Sequence, residues 1–263
     1  MPLSSTLPHL NYRLEGAGPD LVLIHGVGSR LTDWDGVVGR LGAGYRILRF
    51  DLRGHGGSDA PPGPYQIEDL CGDLTRLMDE LEMERAHIAG FSLGGLVAQG
   101  LAISSPERVN KLVLLSTVAG RSDEERGKVE GRLEFIRSSH PADYFDQSVE
   151  RWFTPGFRAS NPDIVARRKA AVTAMDGAAY AAAYYALAMT DFADQLSQIR
   201  APTLVATGEH DIGSNPRMAR FMSETIPGAK LEILPELRHS ILLEAPGIVA
   251  ELVLGFLKEE SEA

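Results

Sequence analysis

The pentapeptide Gly90-Phe91-Ser92-Leu93-Gly94 constrains this chain more than any other stretch, because of what stands on either side of it. Ahead lies Ala86-His87-Ile88-Ala89, a short run ending at glycine, which suits a buried strand. Behind lies Gly95-Leu96-Val97-Ala98-Gln99-Gly100-Leu101-Ala102, which suits a buried helix. A serine on a tight strand-to-helix turn is held in a strained backbone conformation that projects its hydroxyl from the sheet. Gly90 and Gly94 carry no side chains, so strand and helix can approach closely at the bend. The start of the following helix offers free N–H groups to a developing oxyanion. The same pentapeptide in an ordinary glycine-rich turn would be structural only, so the remainder of the chain has to decide.

That remainder alternates. Leu10 to Glu15 has the period of an edge strand, and Leu21-Val22-Leu23-Ile24 is the unbroken apolar run of a strand covered on both faces. Further strands are expected at Tyr45–Phe50, Lys111–Leu115, Pro202–Gly208 and Lys230–Leu234, with helices near Leu31 to Leu41 and Ile248 to Lys258. From Ile67 the apolar spacing predicts an amphipathic helix with its acids on the outer face. Strands and helices alternating at this spacing imply crossover units, hence an α/β fold with a mostly parallel central sheet flanked by helices. From Ser122 to Leu196 the strand signal disappears and only helix-compatible segments remain, interrupted by Pro141, Pro155 and Pro162. The expected organisation is a core of residues 1–120 and 197–263, with a helical cap, 121–196, inserted over the carboxyl ends of the strands.

A serine hydroxyl needs an adjacent base, and the base needs an orienting partner. Of seven histidines, His239 is the candidate base, in the loop after the last expected strand. His25 and His55 lie on the same side, but each sits in a glycine-rich turn that explains it structurally. Asp211, just past the penultimate strand in Gly208-Glu209-His210-Asp211, is the candidate orienting acid. The end of strand 111–115 shows Ser116-Thr117-Val118 and no carboxylate. The order Ser92, Asp211, His239 is that of the nucleophile–acid–base sets built on strand-to-helix elbows. The backbone N–H groups of Val27 and Leu93 are the expected oxyanion donors.

His25-Gly26, Asp51-Leu52-Arg53-Gly54-His55-Gly56, Gly90-Phe91-Ser92-Leu93-Gly94-Gly95, Pro106-Glu107-Arg108-Val109 and Asp211 together resemble the α/β-hydrolase superfamily along nearly the whole chain. Within it, Gly28-Ser29 with Trp34, the Pro61–Tyr65 segment and Arg151-Trp152-Phe153-Thr154-Pro155-Gly156-Phe157-Arg158 are similar to the 3-oxoadipate enol-lactonases. The resemblance implies an α/β-hydrolase fold and opening of a small carboxylated lactone through an acyl-enzyme on Ser92, with no metal and no organic cofactor. It also leaves open hydrolysis of another ester, an enamide or a carbon–carbon bond, and a hydrolase-fold sensor that binds without turning over. The sequence departs from the family pattern at Ile212-Gly213-Ser214, where a Thr-Pro-Pro-like run is expected, and at Arg30. Arg30 either pairs with a substrate carboxylate or starts a helix. Arg151 is the other candidate carboxylate partner, with Arg132, Arg137 and Arg158 as alternatives. Trp152 is either cap packing or a stacking surface.

Charge and cysteine usage bound the partners. A net charge of −10 with no long basic run argues against nucleic acid and anionic membranes, and the resemblance implies a small-molecule substrate. The single Cys71 fits a reducing compartment and a packing role. Met1-Pro2-Leu3-Ser4-Ser5 has neither the basic nor the apolar region of a secretory signal, and Ala178 to Met189 is too short to span a bilayer, so a cytoplasmic protein is expected. Nothing in the sequence speaks to oligomeric state.

Overall fold

Runs of apolar residues that alternate sides put two helical layers against one sheet. The computed structural model describes residues 1–259. Its sheet has seven strands: β1 (Tyr12–Gly16), β2 (Asp20–Ile24), β3 (Arg46–Phe50), β4 (Ala86–Phe91), β5 (Val109–Leu115), β6 (Thr203–Gly208) and β7 (Lys230–Leu234). Their spatial order is β1-β3-β2-β4-β5-β6-β7, and every pairing is parallel except that of β1 with β3. The strand order reverses between β2 and β4, where an open parallel sheet leaves a crevice at its carboxyl edge.

The helices of the core are α1 (Asp35–Leu41), α2 (Ile67–Glu80) and α3 (Leu93–Ser104), later joined by α9 (Pro216–Thr225), α10 (Ile241–Glu244) and α11 (Pro246–Lys258). Between β5 and β6 run α4 (Asp123–Ser138), α5 (Pro141–Trp152), α6 (Pro155–Ser160), α7 (Pro162–Thr173) and α8 (Gly177–Met189). Val22 and Ile24 pack into the cluster that holds α2, α3 and α9, whereas Leu21 and Leu23 pack into the one that holds α1 and α11. That two-sided burial is why β2 reads as four consecutive apolar residues.

One expectation about α2 needs correction. Its acids do not all face outward: Asp73 is 1% exposed and accepts hydrogen bonds from Arg53 Nε at 2.6 Å and Nη2 at 2.8 Å. Position 73 lies three residues after Leu70 and four before Leu77, hence on the inward stripe, and Arg53 arrives from the loop after β3 to neutralise it.

The segment between β5 and β6 has a cluster of its own, built from Leu133, Ile136, Tyr144, Phe145, Val172, Tyr180 and Tyr184. Helix α8 joins it to the core: Ala182, Ala183 and Ala186 pack on the core side, while Tyr180 and Tyr184 face the other helices of the segment. Both ends of the segment are fastened at one place. Asp191 accepts the Gly120 and Arg121 N–H groups at 2.8 and 2.9 Å, and the Arg121 guanidinium donates to the Leu187 and Thr190 carbonyls at 2.8 Å. No helix among the described residues is long and apolar enough to cross a membrane.

Candidate active site

The turn from β4 into α3 is sterically possible only with glycine around it. A Cβ at Gly90 would stand 2.2 Å from the Gly94 carbonyl oxygen, one at Gly94 would stand 2.3 Å from that of Ile24, and one at Gly95 would stand 2.4 Å from Thr117 Cβ. Ser92, between them, has φ 54° and ψ −117°, a left-handed region that costs a non-glycine residue about 1–3 kcal/mol. Its N–H donates to Leu115 O at 2.9 Å and its carbonyl accepts the Thr117 hydroxyl at 2.8 Å, so β5 and the residues after it hold the strained turn in place.

Ser92 is 8% exposed and its Oγ lies 3.2 Å from His239 Nε2. His239 Nδ1 lies 2.7 Å from Asp211 Oδ2. The other Asp211 oxygen accepts the N–H groups of Gly213 and Ser214, each at 2.9 Å. Prolines at those two positions could not donate, so the unusual Ile212-Gly213-Ser214 run supplies hydrogen bonds in place of ring rigidity. Burial alone would raise the Asp211 carboxyl, but the neighbouring imidazole and these two N–H groups hold it below the usual carboxylate range. The loops bearing the acid and the base touch directly: a Cβ at Gly208 would meet the Leu237 and Arg238 carbonyls at 2.4 Å, and His210 N–H donates to Leu237 O at 2.8 Å. The structure therefore brings together all three side chains singled out in the sequence, from 92, 211 and 239.

Val27 sits in a loop pressed against the serine, since a Cβ at Gly26 would stand 2.8 Å from Ser92 Cβ. Two buried histidines fix that loop on either side of Val27. His25 Nδ1 bonds the Gly26 carbonyl at 2.8 Å while its Nε2 accepts the Leu52 N–H at 3.0 Å. His55 Nδ1 bonds the Arg53 carbonyl at 3.0 Å while its Nε2 accepts the Gly28 N–H at 3.1 Å. Each ring must donate at Nδ1 and accept at Nε2, so each is neutral. Burial pushes both below the ordinary histidine value, His55 to about 3. Leu93 opens α3, where first-turn N–H groups have no partner within the helix. Among the described residues, neither the Val27 nor the Leu93 N–H is donated to a protein acceptor.

Above Ser92 is a cavity of about 450 Å³, walled by α4, α5, α7 and α8 and floored by the loops of the sheet edge. Five cationic and three anionic side chains line it, in a chain whose net charge is −10. Most of those cations are already answered. Arg168 Nη1 pairs with Asp33 at 2.9 Å, Lys128 pairs with Glu124 at 2.6 Å, and Arg121 is spent on carbonyls. Arg132 and Arg151 are different. Both donate to one acceptor, the buried Ser148 hydroxyl, at 2.8 and 3.1 Å, and among the described residues neither forms an ion pair with a carboxylate. Burial, and next the Arg132 guanidinium beside it, pull Arg151 below the ordinary arginine value. The pair leaves positive charge in the cavity that no carboxylate of the described residues neutralises.

The remaining sequence candidates divide. Trp152 lines the cavity, but the Arg168 guanidinium sits 5.3 Å above its ring and Phe145 lies edge-on at 5.9 Å, so the indole is packed on both sides. Arg30 does not line the cavity; it is the extended residue that precedes a short turn over Leu31–Trp34, which is the helix-start role. Arg137 and Arg158 also lie outside the lining, beside Glu134 and Glu150. Sequence reasoning missed Arg121, Arg168, Tyr180 and Tyr184. The only available signal was the spacing of Tyr180 and Tyr184 on one face of an alanine-rich helix. Among the described residues no group of three or more His, Cys, Asp or Glu side chains is placed to hold a metal ion.

Comparison with known proteins places the fold in a family. The 3-oxoadipate enol-lactonase 2 of Acinetobacter baylyi is 33% identical over 239 residues, covering 90% of this chain and 88% of that protein. The (E)-2-((N-methylformamido)methylene)succinate hydrolase of the same organism is 28% identical, covering 94% of each. The crystal structure of the enol-lactonase from Burkholderia xenovorans superposes with a TM-score of 0.91 at 31% identity, covering 98% of this chain and 100% of that one. A sequence model described as the alpha/beta hydrolase fold matches residues 19–246. On that match, and on the relative sharing a third of its residues along nine-tenths of its length, the chain belongs to the alpha/beta hydrolase family.

Proposed function

We propose that this protein is a serine hydrolase that opens a small carboxylated lactone or ester, in the manner of the enol-lactonases it is similar to. The observation that carries the reading is the unbroken line Ser92 Oγ, His239 Nε2, His239 Nδ1, Asp211 Oδ2, with contacts of 3.2 and 2.7 Å at the floor of the cavity. In this reading His239 takes the Ser92 proton as Oγ forms a bond to the lactone carbonyl carbon. The carbonyl oxygen becomes an oxyanion facing the Val27 and Leu93 N–H groups, each contributing about 3 kcal/mol in such sites. The ring C–O bond then breaks, and His239 returns the proton to the departing oxygen. Water, deprotonated by the same imidazole, attacks the acyl-enzyme, and Ser92 leaves with its proton restored. Asp211 keeps the imidazole in the tautomer that donates at Nδ1.

The free cations of Arg132 and Arg151 support a substrate that carries a carboxylate at the opposite wall. The segment 121–196 then serves as a cap over a core of 1–120 and 197–263, setting substrate choice while the core supplies the chemistry. No step calls on a metal or organic cofactor, and the single cysteine fits a cytoplasmic site of action.

A panel of lactones, aryl esters and enamides, with and without a free carboxylate, tests the reading together with fluorophosphonate labelling. Carboxylated lactones are expected to turn over best, and Ser92→Ala should lose both labelling and hydrolysis. Undiminished turnover by Ser92→Ala would remove the mechanism, and tight binding of the whole panel without turnover would replace hydrolysis with sensing.

A further inference from the structure

His239 sits on the loop between β7 and the short α10. Its forward side is tied to the sheet through Leu237, whose carbonyl accepts the His210 N–H. The residues immediately flanking the imidazole have partners of another kind. Ser240 N–H donates to the Trp152 carbonyl at 2.9 Å. The Glu244 carboxylate accepts the Thr154 N–H through Oε1, and its Oε2 lies 3.5 Å from the Arg238 N–H. Residues 238 and 240 on one side of the contact thus meet 152 and 154 on the other, with Glu244 spanning the gap. Thr154 has no part in the cavity lining, but Arg151 and Trp152, directly before it, do.

From this we infer that Glu244 is a positioning residue, which fastens the His239 loop to segment 152–154 so that the imidazole is aligned on Ser92 only while that segment is docked. The inference rests on His239 acting as the base. It makes the segment that walls the substrate cavity a part of the alignment of the hydrolytic line as well. Asp211 grips Nδ1, and the Phe91 ring packs 5.1 Å from the imidazole, but neither restrains the backbone at 238–240.

Two substitutions cut the Glu244 part of the link from opposite ends and leave the Ser240 N–H to Trp152 carbonyl bond in place. Glu244→Ala removes the acceptor. Thr154→Pro removes one donor with little else, because Thr154 already has φ −64° and Phe153 before it is extended at φ −128° and ψ 141°, as a residue preceding proline must be. Thr154→Ala is the control, since it keeps the N–H while sharing loss of the side-chain cap on Phe157 N–H. Both link-breaking variants should lower kcat about tenfold with KM changed by less than about threefold. Both should also broaden the low-field proton resonance of the His239 Nδ1–Asp211 hydrogen bond, and Thr154→Ala should do neither. Glu244→Gln, which keeps one acceptor oxygen, should recover part of the loss. Wild-type kcat and an unaltered resonance in folded Glu244→Ala and Thr154→Pro would overturn the inference. The resonance is read without substrate, so it judges the link even if Ser92→Ala retained turnover and hydrolysis by this line had to be abandoned.

Discussion

A half-buried guanidinium with no carboxylate partner is costly, and two of them sharing one hydroxyl are costlier still. Under the proposed function, Arg132 and Arg151 around Ser148 are half of an interaction that a substrate carboxylate completes. Arg151→Met, which keeps the length and drops the charge, should raise KM for carboxylated lactones about 10- to 100-fold, the range expected for a lost charge-assisted hydrogen bond in a dry site. Neutral aryl esters should change by no more than about threefold, and the variant should be somewhat more stable, its like-charged neighbour having been relieved. Steady-state kinetics on paired substrates with and without a carboxylate, and a thermal melt, check both halves. At this scale the sequence was most legible where a chemical group sits immediately beyond an apolar strand, as Ser92, Asp211 and His239 do. It was least legible where meaning depends on a distant partner. Arg168 finds Asp33 across 135 positions, Arg53 finds the buried Asp73, and Glu244 finds Thr154 across 90; no local pattern announces any of them.

At the scale of elements, the elbow of β4 and α3 works because β4, the start of α3 and the end of β2 meet there backbone to backbone. Gly94→Ala should be among the most damaging single-methyl additions in the chain, since its Cβ would press on the carbonyls of Ile24 and His25, which cannot yield without moving β2 and the Val27 loop. A loss of more than about 4 kcal/mol, or failure to fold, is expected. Gly39→Ala, on the open face of α1, is the counterpart that should be neutral or slightly stabilising. Chemical denaturation of the two separates them. The strands and the strand-free stretch could be read from periodicity because burial on two faces, on one face and on a helical stripe leave different patterns. The division of the strand-free stretch into five helices was visible only at its three prolines, which begin α5, α6 and α7.

The whole molecule inherits an acid sensitivity from residues that never touch the substrate. His25 and His55 are neutral and buried in the folded protein and held below their usual value, whereas the unfolded chain binds protons near pH 6.5. Stability is therefore full above pH 6.5 and falls as pH drops below it, by up to about 1.4 kcal/mol per pH unit for each ring. Asp211 acts in a separate window: its depressed carboxyl contributes above the normal carboxylate range, and that contribution disappears as pH falls below about 4. Urea unfolding midpoints should be level from pH 8 to 7 and fall from pH 6.5 to 5. In His55→Gln the midpoint should start lower and fall less steeply over the same range. A flat wild-type profile down to pH 5 would contradict the neutral-imidazole account of the Val27 loop.

The single carboxylate of Asp191 gathers the departure and the return of a seventy-residue excursion to within one hydrogen-bond length of each other. To the sheet, then, the excursion is a closed handle on a box: its length, helix count and inner wall can all be remade without re-threading a single strand. Under the proposed function, exchanging the handle would alter what is admitted, and a replacement would have to reproduce both the Asp191 fastening and the contact of residues 152–154 with Ser240 and Glu244.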